Sequence, residues 1–421
     1  PARGRQALGM PACAAPARRR HGLLAAGLCL AVCAVRAGGA CDADADAETV
    51  RFEYTDERVH VPVTIGADAT PGVFILDSGA VPTGIDARFA QAHRLVVSAA
   101  GRTSGAGTSA TPIGTTRGVS LRVGTTALQV AQATVAPYDA LLAATSGRRI
   151  DGIIGSQFFA EHVVELDFRE RTLTLHDPAR WRYAGGGARI AIALDTGVPM
   201  ADVVLTLPDG HDVIAHAVID LGAKSTLLLS EPFIERHRLR AAFPRTVATG
   251  LGAGMGGDTH YAFARAVRIA FAAHPDVALD RPVVGLSAGG TLHSGWYDAL
   301  LGAGFLANYR VTFDCARHEM ILEPAHAVAT GGFDRSGLFL VATGRTLDGI
   351  AVRSVVADSP AAQAGLRPGD RLVSVDGTPA ARLRLWQVRE RLRDPAVRRV
   401  RFRIETATTT RLVVVHLRDL I

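Results

Sequence analysis

The sequence predicts a mainly β protein made of two similar halves, followed by a smaller domain of mixed α and β structure. Three observations support this prediction. Four sequence elements occur twice in the same order, short apolar runs alternate with Gly, Pro and Asp in both copies, and the pattern changes from about residue 333 onward. Short apolar segments separated by such turn residues are typical of β-strands.

The composition is that of an ordinary globular protein. The chain has 421 residues, 48% hydrophobic and 20% charged, which is enough for two or three domains. Residues 1–40 carry six arginines and no acid, which equals the whole net charge of +6. Residues 331–421 hold 16 Arg against 9 acidic residues, spread along strands and one helix face. We therefore predict a solvated basic domain and no nucleic-acid partner.

The first forty residues are typical of an export signal. Three consecutive arginines, Arg18 to Arg20, precede an apolar run from Leu23 to Val35, and small residues follow up to Ala40. The run is too short to be a permanent membrane anchor. We predict a signal peptide over 1–40, a flexible leader over 41–49, and a periplasmic or secreted mature protein.

Cys41 stands directly after the predicted cleavage site, and three states of this residue fit the sequence. It resembles a lipoprotein attachment site, although Gly38 stands where such sites carry a large aliphatic residue. A free thiol fits as well, and so does a disulfide with Cys315, the second cysteine of the mature chain. Membrane association is expected only through the signal peptide or a lipid anchor at Cys41.

The repeat predicts one lobe over 50–182 and a second over 187–327. In each copy an apolar strand runs into Asp-x-Gly-Ala, a Gly-rich segment follows, then an Asp-led apolar segment and a hairpin. The Asp-led segments, Asp151 to Phe159 and Asp298 to Leu306, are offset by 147 positions, and the hairpins keep that offset. Four elements recurring in one order indicate two homologous β-rich lobes.

Asp77 and Asp220 end the two matching apolar strands and are the candidate catalytic pair. Two carboxyl groups about 3 Å apart cannot ionise together, so they share one proton and can serve as general base and general acid at once. Gly79 and Gly222 would let one backbone approach the other closely. This chemistry needs no cofactor, and the histidines show no paired spacing that predicts a metal site.

Asp77-Ser78-Gly79-Ala80, with Ile153-Ile154-Gly155 behind it, resembles the signature of retropepsin-like aspartic proteases. The resemblance covers about 270 residues as two tandem copies. It implies two closed β-barrel lobes forming a bilobed aspartic protease, an Asp77/Asp220 dyad supported by Ser78, and hairpin flaps over a polypeptide substrate. Because both aspartates lie on one chain, we expect a monomer. The candidate flap residues are Gly105, Gly107, Gly252 and Gly254.

One departure from the family pattern is Leu221, which stands where the family has a hydroxyl residue. Half of the hydrogen-bond exchange that supports the dyad is therefore missing. The alternative hypothesis is a non-catalytic peptide-binding protein with a degenerate second lobe. Gly285 to Gly289 also fits a hydrolase nucleophile elbow, but a loop-like segment follows it, which disfavours a serine hydrolase.

Two segments of the last part of the chain, Ser359 to Leu366 and Pro368 to Gly377, resemble the PDZ domains of bacterial envelope proteases. We predict an α+β PDZ domain over 333–421. Such a domain receives an extended peptide beside an exposed strand and binds its C-terminal carboxylate on backbone N–H groups. The alternative is a domain that only packs on the protease lobes. The residues at the carboxylate loop are Gly337, Leu338, Phe339 and Leu340.

Overall fold

The computed structural model describes residues 47–421, apart from 106, 108, 195, 289–291, 293–294, 326–331 and 407. The predicted signal peptide, residues 41–46 of the leader and Cys41 lie outside the described residues. Cys315 is buried. Within the described part of the chain, no helix is long and apolar enough to cross a membrane.

Lobe 1 is a sheet of eight strands in the order β2-β3-β4-β9-β5-β8-β7-β6, and a further pairing of β3 with β7 closes it on itself. Inward-facing side chains alternate with exposed ones along these strands, as expected for a half-buried sheet. The elements are β2 Glu53–Thr55, β3 Arg58–Ile65, β4 Asp68–Leu76, β5 Gly84–Asp86, α1 Ala87–Ala92, β6 Ser98–Thr103, β7 Thr111–Val123, β8 Thr126–Ala136, α2 Tyr138–Ser146, β9 Gly152–Ile154 and α3 Gln157–Glu161.

Lobe 2 repeats this plan with a nine-stranded sheet in the order β16-β17-β20-β15-β21-β14-β13-β18-β19. The repeated elements correspond, because β4 pairs in parallel with β9 in lobe 1, as β14 does with β21 in lobe 2. The elements are β13 Met200–Thr206, β14 Asp212–Asp220, β15 Leu227–Leu229, α4 Glu231–Arg236, α5 Leu239–Ala242, β16 Val247–Gly254, β17 Gly257–Arg265, β18 Arg268–Phe271, β19 His274–Asp280, β20 Val283–Ser287, β21 Ala299–Gly302 and α6 Ala303–Leu306.

A third sheet, in the order β1-β11-β10-β22-β23-β12, is shared by the two lobes. The closing hairpin of each copy lies in this sheet, and β10 pairs with β22 so that Leu166 faces Val311. One hydrophobic core runs through both lobes as a result. The strands are β1 Glu48–Arg51, β10 Val163–Asp167, β11 Thr172–His176, β12 Ala188–Ala191, β22 Tyr309–Asp314 and β23 Glu319–Pro324, with a 3₁₀ turn at Cys315–Arg317.

The predicted flexible leader is too long at its C-terminal end. Glu48 and Thr49 belong to β1 and pair with Leu175 and Thr174 of β11. Val50 packs against the core of the lobes, and this contact holds the strand in place. The ordered part of lobe 1 therefore begins before residue 50.

The C-terminal domain has its own hydrophobic core and a sheet in the order β24-β25-β26-β28-β29, with β27 paired to β26. β24 is an edge strand, and the helix α8 packs beside it. The elements are β24 Leu338–Thr343, β25 Gly349–Val355, α7 Pro360–Gln363, β26 Arg371–Val375, β27 Thr378–Pro379, a 3₁₀ turn at Ala380–Arg382, α8 Leu385–Arg393, β28 Arg399–Glu405 and β29 Thr410–His416.

Candidate active site

The two candidate aspartates lie at equivalent ends of two buried strands. Asp77 directly follows β4, and its backbone N–H donates to the Ile154 carbonyl at 2.9 Å. Asp220 is the last residue of β14, where its register partner in β21 is Gly302. Apolar side chains bury both strands, so the turn that follows each one places its carboxyl group at the interface of the lobes.

The two Asp-x-Gly turns approach each other closely. A methyl group added at Gly222 would lie 2.3 Å from Asp77 Cγ, and one added at Gly79 would lie 2.8 Å from Asp220 Cγ. Each carboxylate also accepts a backbone N–H from its own turn, from Gly79 at 3.0 Å and from Gly222 at 2.8 Å. Only glycine leaves room for the opposing carboxyl group at these two positions.

The Asp77 and Asp220 carboxyl groups are hydrogen-bonded to each other. Burial raises the pKa of Asp77 well above its usual range, and the neighbouring Asp220 raises it further. Burial also raises the pKa of Asp220, while the hydrogen bond from Asp77 and two backbone N–H groups lower it. The two carboxyl groups therefore titrate as a pair, and their burial favours a state that keeps a proton.

Ser78 supports the dyad across the lobe interface. Its buried hydroxyl donates to the Ile219 carbonyl at 2.6 Å and accepts the Leu221 N–H at 3.0 Å. In the second turn Leu221 is fully buried in the hydrophobic core and has no hydroxyl to return this exchange. One serine therefore bridges the backbone on both sides of Asp220.

Two hairpins meet above the dyad. The loop between β6 and β7 contains Gly105 and Gly107, and the Gly107 N–H donates to the Met255 carbonyl at 2.8 Å. The Ser109 N–H donates to the Gly256 carbonyl at 2.9 Å. We call the loop between β6 and β7, and the turn at Met255 and Gly256 between β16 and β17, the flap tips. Gly254 ends β16 beside the second tip, whereas Gly252 lies inside that strand and is not at the tip.

The flap tips and the dyad line one cavity of about 720 Å³, a size typical of ligand sites. Arg58, which the sequence does not single out, lies in this cavity between the lobes. Its guanidinium donates to the Gly222 carbonyl at 3.2 Å and to the Ser146 hydroxyl at 3.3 Å. Its positive charge lowers the pKa of both aspartates, which partly offsets their burial. No local motif marks Arg58, since only the fold brings it to the dyad.

The described residues contain no group of three or more His, Cys, Asp or Glu side chains that could hold a metal ion. The chemistry that the side chains at the dyad offer is that of two carboxyl groups sharing a proton, with glycine-lined backbone around them.

Two regions of the chain match models of known protein families. Residues 61–158, which include Asp77, match the family model described as aspartyl protease, and residues 351–406 match the model described as PDZ domain. The chain carries an aspartyl protease domain and a PDZ domain. A crystal structure of an aspartic proteinase from Irpex lacteus superposes with a TM-score of 0.40 at 13% identity, over 68% of this chain and 99% of that chain. Comparison with curated proteins finds no match.

A PDZ domain is a peptide-binding module, and its groove lies between the edge strand and the neighbouring helix. Here the backbone groups at the predicted carboxylate loop are bonded within the chain. Asp334 Oδ1 accepts the N–H groups of Ser336 at 2.9 Å and Gly337 at 2.6 Å. The Leu338 N–H also points to it, at 3.3 Å.

The groove between β24 and α8 is occupied by lobe 1. α2 packs against β24, and Gly147 is so close to the first residue of α8 that an added methyl group would lie 2.8 Å from Leu385 Cβ. Arg389 of α8 donates to the Thr145 carbonyl at 2.8 Å and to the Leu340 carbonyl, on the edge strand itself, at 2.7 Å. Phe339 lies beside the same guanidinium.

Proposed function

We propose that this protein is an exported aspartic endopeptidase that hydrolyses peptide bonds with a water molecule activated by Asp77 and Asp220. The observation that carries the proposal is the pair of hydrogen-bonded carboxyl groups at matching strand ends, facing one cavity beneath two flap tips. The aspartyl protease match over 61–158 supports it. Both aspartates lie on one chain, so a monomer suffices.

The pair supplies both proton transfers that the reaction needs. The ionised carboxyl takes a proton from water, whose oxygen attacks the peptide carbonyl carbon, while the protonated carboxyl gives its proton to the carbonyl oxygen. A tetrahedral diol forms. Its collapse breaks the C–N bond as the nitrogen takes up a proton from one carboxyl, while a diol hydroxyl returns its proton to the other and restores the pair. Because the reactive state carries one shared proton, activity should fall as the pH rises through the upper pKa of the pair.

The decisive experiment compares wild type with Asp77→Asn and Asp220→Asn on an unfolded protein substrate between about pH 3 and 7. We expect cleavage by the wild type at acidic pH, inhibition by a pepstatin-like transition-state analogue, and a loss of at least about 10³-fold in kcat/KM in either variant. Asp202→Asn is the matched control, because Asp202 is an exposed aspartate on β13 that pairs with His216.

The second candidate function is a non-catalytic peptide-binding protein, and the observation that favours it is the buried Leu221. Under this alternative the wild type cleaves nothing across the pH range but binds unfolded polypeptide. That outcome would contradict the peptidase proposal.

Export and the role of the PDZ domain complete the proposal. We place the mature protein in the periplasm or outside the cell, with Cys41 as a candidate site of lipidation, and mass spectrometry of the mature N-terminus tests both. We further propose that the PDZ domain binds peptide ends of a substrate or partner. This would require Arg389 to release the Leu340 carbonyl and residues 145–147 to leave the groove.

A further inference from the structure

The active-site cavity does not end at the protease lobes. Its lining runs from Asp77 and Asp220, past the flap tips, to the PDZ residues Leu338, Phe339 and Val356. These three lie at and beside the edge strand of the PDZ sheet, close to the predicted carboxylate loop. The PDZ domain therefore forms part of the wall of the same cavity that holds the dyad.

Contacts on several elements hold the PDZ domain in this place. The turn between β2 and β3 carries Asp56, which pairs with Lys224 of lobe 2 and Arg389 of α8, and Glu57, which pairs with Arg393 at 3.0 Å. One short turn thus joins lobe 1, lobe 2 and the PDZ domain.

The PDZ domain also contacts the second flap hairpin. Arg353 of β25 pairs with Asp258 of β17 at 3.2 Å, and the ring of Phe333 lies 5.6 Å from that of Phe263. Together with the occupied peptide groove, these contacts fix the PDZ domain as a wall of the cleft.

The PDZ residues that line the cavity include an apolar group, with Arg389 and Arg393 of α8 also on the wall. Phe339 and Val356 are half-buried, Leu338 is buried, and Phe333 lines the same cavity. Leu142 of α2 and Met255 of the flap tip line the same cavity. An apolar concave surface of this kind favours a large apolar side chain over a charged or small one.

We propose that the docked PDZ domain contributes an apolar substrate subsite, formed by Leu338, Phe339 and Val356, which binds a large apolar side chain at one position of the polypeptide being cleaved. This inference rests on the proposed peptidase function. It makes the PDZ domain part of the specificity of the active site, in addition to any recruitment of peptide ends.

The test is a cleavage-site profile of unfolded proteins, read by mass spectrometry, for wild type, Phe339→Ala and Val356→Phe. In the wild type we expect enrichment of Leu, Phe or Met at one substrate position. Phe339→Ala should lower kcat/KM for peptides with a large residue there by about 10-fold while sparing those with alanine. Val356→Phe should narrow the subsite and shift the preference toward smaller residues.

Arg371→Ala is the control, because Arg371 lies on the exposed side of the PDZ sheet and pairs only at the surface with Glu405. A profile that is unchanged in both variants, or an equal loss for all peptides in both, would overturn the subsite. A wild type that cleaves no peptide would instead overturn the peptidase proposal, and the subsite with it.

Discussion

At the scale of single residues, the dyad is an ionisable pair buried at a cost to the stability of the fold. Asp77 and Asp220 are hydrogen-bonded to each other inside the interface of two lobes, and burial raises the pKa of both. The folded protein therefore holds a proton over a pH range in which the unfolded chain has lost it. By linkage, the stability of the fold decreases as the pH rises from the ordinary carboxyl pKa through the raised value.

This linkage predicts that Asp77→Asn inactivates the protein but stabilises it at neutral pH. The amide removes the buried ionisable group, so the Tm of the variant should exceed that of the wild type by a few degrees at about pH 7. The difference should shrink toward about pH 3, where the carboxyl groups of the unfolded chain become protonated as well. Thermal melts across that range measure it, with Asp202→Asn as a control that should show no such trend. A variant that is less stable than the wild type at neutral pH would contradict the prediction.

The sequence predicted the dyad and its serine, because the apolar run, Asp and Gly are contiguous in each copy. It did not predict Arg58 or Lys224. Both are isolated basic residues in the sequence. They make their contacts only in the fold, where the β2–β3 turn of lobe 1 meets the turn after β14 of lobe 2. Burial and the charge of Arg389 lower the pKa of Lys224 to about 7 even though Asp56 opposes this shift. No local pattern could have shown that.

At the scale of elements, the position of each catalytic carboxyl group depends on the turn after its strand as much as on the strand itself. Gly79 and Gly222 have no space for a side chain, because each faces the carboxyl group of the opposite lobe. The close approach that allows the carboxyl groups to share a proton depends on these two turns.

We therefore predict that Gly222→Ala reduces kcat/KM by about 10²-fold or more, because the methyl group must displace the Asp77 carboxyl by an ångström or so. Gly186→Ala is the matched control: Gly186 also lies in a loop of the protease region, but an added methyl group there meets no atom within 4 Å. Steady-state kinetics and a thermal melt on both variants make the comparison. Equal activity in the two variants would mean that the turns do not constrain the dyad.

The sequence predicts where strands lie along the chain better than it predicts which strands pair with each other. The apolar runs expected as strands before both aspartates are β4 and β14. The two closing hairpins were expected separately, but nothing local indicates that β10 pairs with β22. Of the two glycines predicted for the second flap, Gly254 ends β16 beside the tip, whereas Gly252 lies two residues earlier, inside the strand. The signal that locates the tip is Gly256-Gly257, where both residues have positive φ.

At the scale of the whole molecule, buried charges join the three parts of the chain. Burial alone would raise the pKa of Asp56, but Arg389 and Lys224 outweigh it and hold that pKa well below its usual range. A depressed carboxyl pKa contributes stability that is lost only as the pH falls through the depressed value. Asp56, Lys224 and Arg389, which we call the junction, should therefore stay charged at the acidic pH where the dyad is expected to work.

Removing the Asp56 carboxylate should destabilise the contacts between the two lobes and the PDZ domain. Asp56→Ala leaves two cations buried without their partner, and we expect a loss of about 3–5 kcal/mol in the free energy of unfolding. Hydrogen exchange of the α8 amides should accelerate, because Arg389 loses its carboxylate partner in lobe 1 and keeps only the Thr145 carbonyl there. Glu405→Ala removes an exposed ion pair from the PDZ sheet and should change stability by less than about 0.5 kcal/mol. Equal effects of the two substitutions would show that the junction does not hold the domains together.

The domain plan could be predicted from the sequence, but the relation between the domains could not. The two predictions for the PDZ domain, a free peptide groove and a domain packed on the protease lobes, differ only in contacts between residues hundreds of positions apart, such as Arg389 with Asp56. Which of them applies depends on surface complementarity that no single segment carries.

The paired flap tips have a consequence for how often the active site is accessible. Two backbone hydrogen bonds, from Gly107 and Ser109 to the opposite loop, are polar links between them. At about 0.5–1.5 kcal/mol net each, such a latch is worth roughly 1–3 kcal/mol, which leaves between about 1% and 15% of molecules unlatched at any moment. Under the proposed function, a polypeptide would enter without an external opener, and its capture would be slowed by a factor of about seven to a hundred.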